Sequence, residues 1–69
     1  MSLTNRIRLL RFHHRELTQA ELGARIGLTR QTVAAIERGK YSPSLEAAFR
    51  IAAALGEPLE AVFQWRADP

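Results

Sequence analysis

Apolar residues recur along this chain at helical spacing, in five short runs divided by polar or glycine punctuation. Leu3, Ile7 and Leu10 share one face, while Arg6, Arg8, Arg11 and Arg15 fall largely off it, which predicts a first helix from about Thr4 to His14. The polar stretch His13-His14-Arg15-Glu16 ends it. Thr18-Gln19-Ala20-Glu21 has the form of a capping box, in which the Thr18 hydroxyl accepts from the Glu21 N–H and Glu21 reaches back. Leu22 and Ile26 then face inward, and Gly27 suits a left-handed stop. Thr29 is a natural N-cap for a third helix with Val33 and Ile36 inside and Gly39 at its end. Ser44 caps a fourth helix whose stripe is Leu45, Ala48, Phe49, Ala52 and Leu55, with Ile51 beside it and Gly56 after it. Pro58 opens a short fifth helix with Leu59, Val62 and Phe63 on its inner face. Phe12 and Phe49 are expected in the core, and residues 64–69 form a tail, either frayed or used in association.

Composition agrees with this pattern. Eleven Ala and nine Leu against six Val and Ile together favour helix over strand, so the expected class is all-α, a compact five-helix domain. Sixty-nine residues hold a single domain, here residues 1–69. A chain this short buries only about 60% of its unfolded surface, so tight helix packing or oligomerisation has to supply stability. There is no cysteine, hence no disulfide and no thiolate metal site. The longest stretches without a charged residue run only six residues, Gln31 to Ile36 and Ile51 to Gly56, against the ~20 apolar residues of a membrane span. The first residues lack the apolar core of a signal peptide, and a cytoplasmic location is expected.

Charge adds a direction. Residues 1–42 carry eight basic and three acidic side chains, whereas residues 43–69 carry two basic and four acidic ones. Nine of the ten basic residues are Arg, the better side chain for phosphate and guanine. The N-terminal part is therefore suited to an anionic partner. Two helices separated only by Gly27-Leu28-Thr29 have to turn sharply, so residues 18–38 or so read as a helix-turn-helix. The second of these helices begins with Arg30, Gln31 and Thr32 and continues with the small Ala34 and Ala35 on its outer face, a shape that fits the DNA major groove.

Three segments carry a family resemblance: Leu17-Thr18-Gln19-Ala20-Glu21-Leu22, Gly27-Leu28-Thr29-Arg30-Gln31-Thr32-Val33, and Ile36-Glu37-Arg38-Gly39-Lys40-Tyr41-Ser42-Pro43-Ser44-Leu45. Together with the tail Leu59-Glu60-Ala61-Val62-Phe63 they resemble the Cro/C1-type (XRE) helix-turn-helix family, most closely its minimal stand-alone members, over nearly the whole chain. The resemblance implies a lambda-repressor-like domain and assigns roles. Arg30, Gln31 and Thr32 would read base edges, with Ala34 and Ala35 against the groove floor. Gln19, Thr29, Arg38, Lys40, Tyr41 and Ser42 would contact phosphates. Glu37 would pair with Arg11, and Gly27 would serve the turn. Gly23 departs from the family, which usually has Ala there.

No catalytic set emerges. The adjacent His13 and His14 diverge on a helix, the carboxylates are scattered, and no glycine-rich phosphate loop is present. No metal or cofactor is expected. The expectation is a non-enzymatic, sequence-specific binder of double-stranded DNA, a homodimer on a pseudo-palindromic operator, acting as a transcriptional regulator and more specifically a repressor. Val62, Phe63 and Trp65 are the candidate dimer contacts; alternatively Trp65 folds back over the domain's own core. An alternative function is an antitoxin-type module that binds a protein partner as well as DNA.

Overall fold

The two ends of the chain meet. In a computed structural model describing residues 2–67, strand β1 (Ser2–Asn5) pairs antiparallel with strand β2 (Phe63–Arg66), Ser2 opposite Arg66 and Asn5 opposite Phe63. Between them run five helices: α1 (Ile7–His13), α2 (Gln19–Ile26), α3 (Arg30–Glu37), α4 (Leu45–Leu55) and α5 (Leu59–Val62). Met1 and the last two tail residues, Asp68 and Pro69, lie outside the described residues.

The sheet corrects the all-α expectation, and with it the start of the first helix and the frayed-tail alternative. Leu3 belongs to β1, opposite Trp65, and not to the helix that its spacing from Ile7 suggested. Asn5 makes the switch. Its Oδ1 accepts from the Ile7 N–H at 3.1 Å, satisfying one orphan donor of α1, and its Nδ2 donates to the Ile36 carbonyl at 3.0 Å. The Arg6 N–H then donates to the Val62 carbonyl at 2.8 Å, so the polar groups that would have continued a helix are satisfied across the domain.

Ile7, Leu17, Leu22, Ile26, Val33, Ile36, Ile51, Ala52, Leu55 and Val62 form one core. Phe12 and Phe49 do not join it; they are 64% and 54% exposed. The inner face of α1 is taken by Ile7 and Leu10, and Phe12, five residues beyond Ile7, projects about 140° away. On α4 the buried positions are Ala48, Ile51, Ala52 and Leu55, which leaves Leu45 and Phe49 one turn apart on its flank.

Two local features set the angle between α2 and α3. Gly27 caps α2 at φ 76°, a left-handed conformation cheap only for glycine. Gly23 lies against the turn so tightly that a Cβ there would stand 2.5 Å from the Leu28 carbonyl oxygen. The family's usual Ala would thus require the turn to shift in this chain. The loop after α1 is strained instead: Arg15 and Glu16 are both left-handed, at φ 54° and 55°. The Leu17 N–H donates to the Arg11 carbonyl and Arg11 Nη1 donates to the Leu17 carbonyl at 2.9 Å, which holds the loop in place.

Candidate nucleic-acid interface

Val33 and Ile36 anchor α3 to the core, so the residues on its far side are free to meet a partner. At 100° per residue, Gln31, Ala34, Ala35 and Arg38 form the outermost ridge, while Arg30 and Glu37 turn to one flank and Thr32 to the other. Arg30, Gln31 and Arg38 are exposed; Thr32, Ala34 and Ala35 are half-buried. Arg30 and Gln31, read together from the sequence as base readers, therefore diverge: Gln31 stands on the ridge and Arg30 leans toward a cleft.

That cleft is lined by Arg8, Arg11, Glu16, Thr18, Gln19, Ala20, Arg30, Glu37 and Arg38. Its floor is a hydrogen-bonded triad. Arg11 Nε and Nη2 donate to the two carboxylate oxygens of Glu37 at 2.6 and 3.0 Å, and Gln19 Nε2 donates to Glu37 Oε1 at 3.2 Å. The Arg11 and Glu37 side chains are only 15% and 7% exposed, so their charges cancel below the surface. What remains at the mouth is Arg8, Arg30 and Arg38 against Glu16, a net positive hollow. Gln19 opens α2, and one of its two amide protons is left for a ligand at that helix N-terminus.

The caps around the cleft are built from short side chains. The Thr18 hydroxyl accepts from the Glu21 N–H at 3.0 Å, and Glu21 Oε1 accepts from the Thr18 N–H at 2.9 Å. Hydrogen bonding to the carboxyl from Thr18, its backbone N–H first and its side chain next, holds Glu21 below the usual carboxylate range. Thr29 caps α3 in the same manner: its hydroxyl accepts from the Thr32 N–H at 3.1 Å and meets the Thr32 hydroxyl at 2.9 Å. At the other end, left-handed Gly39 (φ 73°) lets the Lys40 N–H return to the Ala35 carbonyl. The segment Arg38 to Ser42 is thereby turned out from the helix end, with Lys40, Tyr41 and Ser42 exposed.

Sequence reasoning passed over Arg8. It stands one turn before Arg11 on α1, and that i, i+3 relation to a residue already expected to pair with Glu37 was the signal that could have found it. The reverse holds for Val62. It is 0% exposed, enclosed in the core with its carbonyl bonded to Arg6, and has no surface to offer a second subunit. Phe63 is half-buried and Trp65 is 63% exposed, on the same sheet face as Asn5 and Leu3. Among the described residues, no helix is long and apolar enough to cross a membrane.

Comparison with known proteins places the chain among close relatives. A family model described as helix-turn-helix matches residues 7–62. An uncharacterized HTH-type transcriptional regulator of Methanothermobacter thermautotrophicus is 57% identical over 58 residues, spanning 80% of this chain and 84% of that protein. A second such regulator, from Methanocaldococcus jannaschii, is 42% identical over 66 residues, 96% of this chain and 98% of the relative. The immunity repressor protein of Bacillus phage phi105 is 39% identical over 62 residues, 90% of this chain but 42% of the phage protein.

Proposed function

The chain belongs to the Cro/C1-type (XRE) helix-turn-helix family of transcriptional regulators, and we propose that it represses transcription by binding an operator in double-stranded DNA as a homodimer. The observation that carries this reading is the outward-facing ridge Gln31-Ala34-Ala35-Arg38 beside a basic cleft. The small side chains let α3 enter the major groove. Gln31 suits the N6 and N7 of adenine, Arg30 suits the O6 and N7 of guanine, and Thr32 lies within reach of either. Arg8, Gln19, Thr29, Arg38, Lys40 and Ser42 grip the flanking phosphates, so affinity falls steeply with salt. Loss of Arg30 (Arg30→Ala) weakens specific binding far more than binding to random duplex; equal losses would make Arg30 a phosphate contact only.

One recognition helix offers few base contacts. Two, about 34 Å apart along the duplex, read an inverted repeat. The exposed cross-strand pair Leu3 and Trp65, with Phe63 beside it, is the apolar surface that joins the two copies. Trp65→Ala shifts the protein toward monomer in sedimentation at micromolar concentration; no shift would remove the sheet face from the interface. A dimer seated on an operator represses by occlusion, without catalysis or cofactor, in the cytoplasm where the DNA is. The phage relative's name supports repression over activation. Selection from a random duplex pool tests the whole reading: enrichment of an inverted repeat supports it, and a pool that stays random refutes it.

A protein partner bound alongside DNA is a second reading, favoured by one observation. Leu9 and Phe12 are both half or more exposed and lie one turn apart on the face of α1 opposite Ile7. If a small toxin encoded beside this gene is the partner, Leu9→Ser with Phe12→Ser abolishes their co-purification and spares operator binding. Failure of the unmodified pair to co-purify would end this reading.

A further inference from the structure

The last turn of α3 is closed by a side chain from the far end of the chain. Gly39 and Lys40 return their N–H groups to the Ile36 and Ala35 carbonyls, a Schellman ending. It leaves the Glu37 carbonyl without a backbone partner among the described residues. Asn5, the last residue of β1, covers that end. Its Nδ2 donates to the Ile36 carbonyl at 3.0 Å and, more weakly, to the Glu37 carbonyl at 3.5 Å, while its Oδ1 is taken by the Ile7 N–H. Among the described residues, these are the side-chain hydrogen bonds by which the sheet holds α3. Leu3, Asn5 and Phe63 of the sheet and Gly39, Ser42 and Pro43 of the following loop line one small hollow, so the sheet faces the segment that leaves the helix.

That segment carries Arg38, Lys40 and Ser42, which in the reading above grip phosphates. Its path is set where it leaves α3, because Gly39 and Lys40 bond back to the helix's own last turn. Whatever holds that turn therefore holds the loop. We propose that Asn5 is a positioning residue for DNA binding: from the sheet it fixes the C-terminal turn of α3 and so sets where Arg38, Lys40 and Ser42 meet the phosphate backbone. The proposal rests on the DNA-binding reading and adds to it a residue outside the recognition surface. It also gives the joined chain ends a task, that of a buttress behind the phosphate-gripping loop. The side chain suits the task chemically. It has to accept at the start of α1 and donate at the end of α3, and an amide does both, whereas a carboxylate has no proton to donate.

The test is Asn5→Ser in the full chain. Serine keeps an oxygen for the Ile7 N–H, adds no charge beside the DNA, and is too short to reach α3. The variant, shown to be folded by its thermal melt, should bind the selected operator and a random duplex about three- to tenfold more weakly, by the same factor on each, the range of one lost hydrogen bond. The fall of log affinity with log salt should become shallower by about one phosphate contact. The bases selected from a random pool should stay the same. Lys40→Gln should flatten the salt dependence of the unmodified protein, and flatten it less in the Asn5→Ser background, where Lys40 is already displaced. A residue that served stability alone would lower the melt and leave the salt dependence of the folded protein unchanged. Unchanged affinity and salt dependence, fully additive effects of the two changes, or selection of different bases would overturn the proposal while leaving the DNA-binding reading standing. So would failure of Asn5→Ser to fold, which would make Asn5 a folding determinant only. If the unmodified protein binds no duplex, the DNA-binding reading itself fails and the proposal with it.

Discussion

Removing Arg11 should cost this protein a large part of its stability. The guanidinium makes three hydrogen bonds, two to Glu37 and one to the Leu17 carbonyl, and thereby ties α1, the strained loop and the end of α3 together. In Arg11→Ala, Glu37, whose side chain is 7% exposed in the intact protein, keeps only the Gln19 amide as donor. Breaking a buried pair by deleting one partner costs about 3–5 kcal/mol, because the other charge stays desolvated. At roughly 0.05–0.15 kcal/mol per residue, a domain this short has only about 3.5–10 kcal/mol in total. Urea unfolding followed by circular dichroism should show a midpoint lowered by about 3 M or more, given a slope near 1 kcal/mol/M for a small domain. Arg11→Met combined with Glu37→Leu removes both charges and should recover at least ~2 kcal/mol of the loss. Operator binding should not recover with it, because Gln19 has lost the carboxylate that orients it. A single-variant cost below about 1 kcal/mol, or a double variant no more stable than Arg11→Ala, would refute the reasoning.

Three further outcomes follow from local geometry. Gly23→Ala should destabilise by about 1–3 kcal/mol in a thermal melt despite the better helix propensity of Ala, since its Cβ meets the Leu28 carbonyl oxygen at 2.5 Å; a gain in stability would mean that the turn relaxes easily. Glu16→Gly should stabilise by about 1 kcal/mol by relieving a left-handed non-glycine residue, and an unchanged urea midpoint would show that the loop stores no strain. Glu21→Gln should flatten the acid side of the stability profile: the folded-state pKa is lowered, so the carboxylate's contribution is present above the ordinary glutamate value and lost as pH falls through the lowered one. Parallel acid slopes for the two proteins in urea titrations would show that Glu21 contributes no such dependence.

Nearly every helix boundary and cap was legible as local chemistry. Thr18, Thr29 and Ser44 cap, and Gly27, Gly39 and Gly56 stop, through bonds and backbone conformations that involve only residues a few positions away. The helix-turn-helix and the identity of its outward residues followed from that punctuation and the 3.6-residue period, whose inner positions Leu22, Ile26, Val33 and Ile36 are all buried.

What failed involved partners distant in the chain. The pairing of residues 2–5 with 63–66 depends on both ends reaching one place, and no periodicity of either segment announces it; Leu3 fits a helix as well as a strand. Phe12 and Phe49 were misplaced because apolar character is a property of the residue, whereas burial depends on which neighbours fill the core first. Arg30 and Gln31 are adjacent in sequence yet line different hollows, Arg30 the positive cleft floored by Arg11 and Glu37, Gln31 a second one that it shares with Leu28 and Tyr41. Short-range hydrogen bonding makes the elements; the contacts between elements decide which of their side chains face a ligand together.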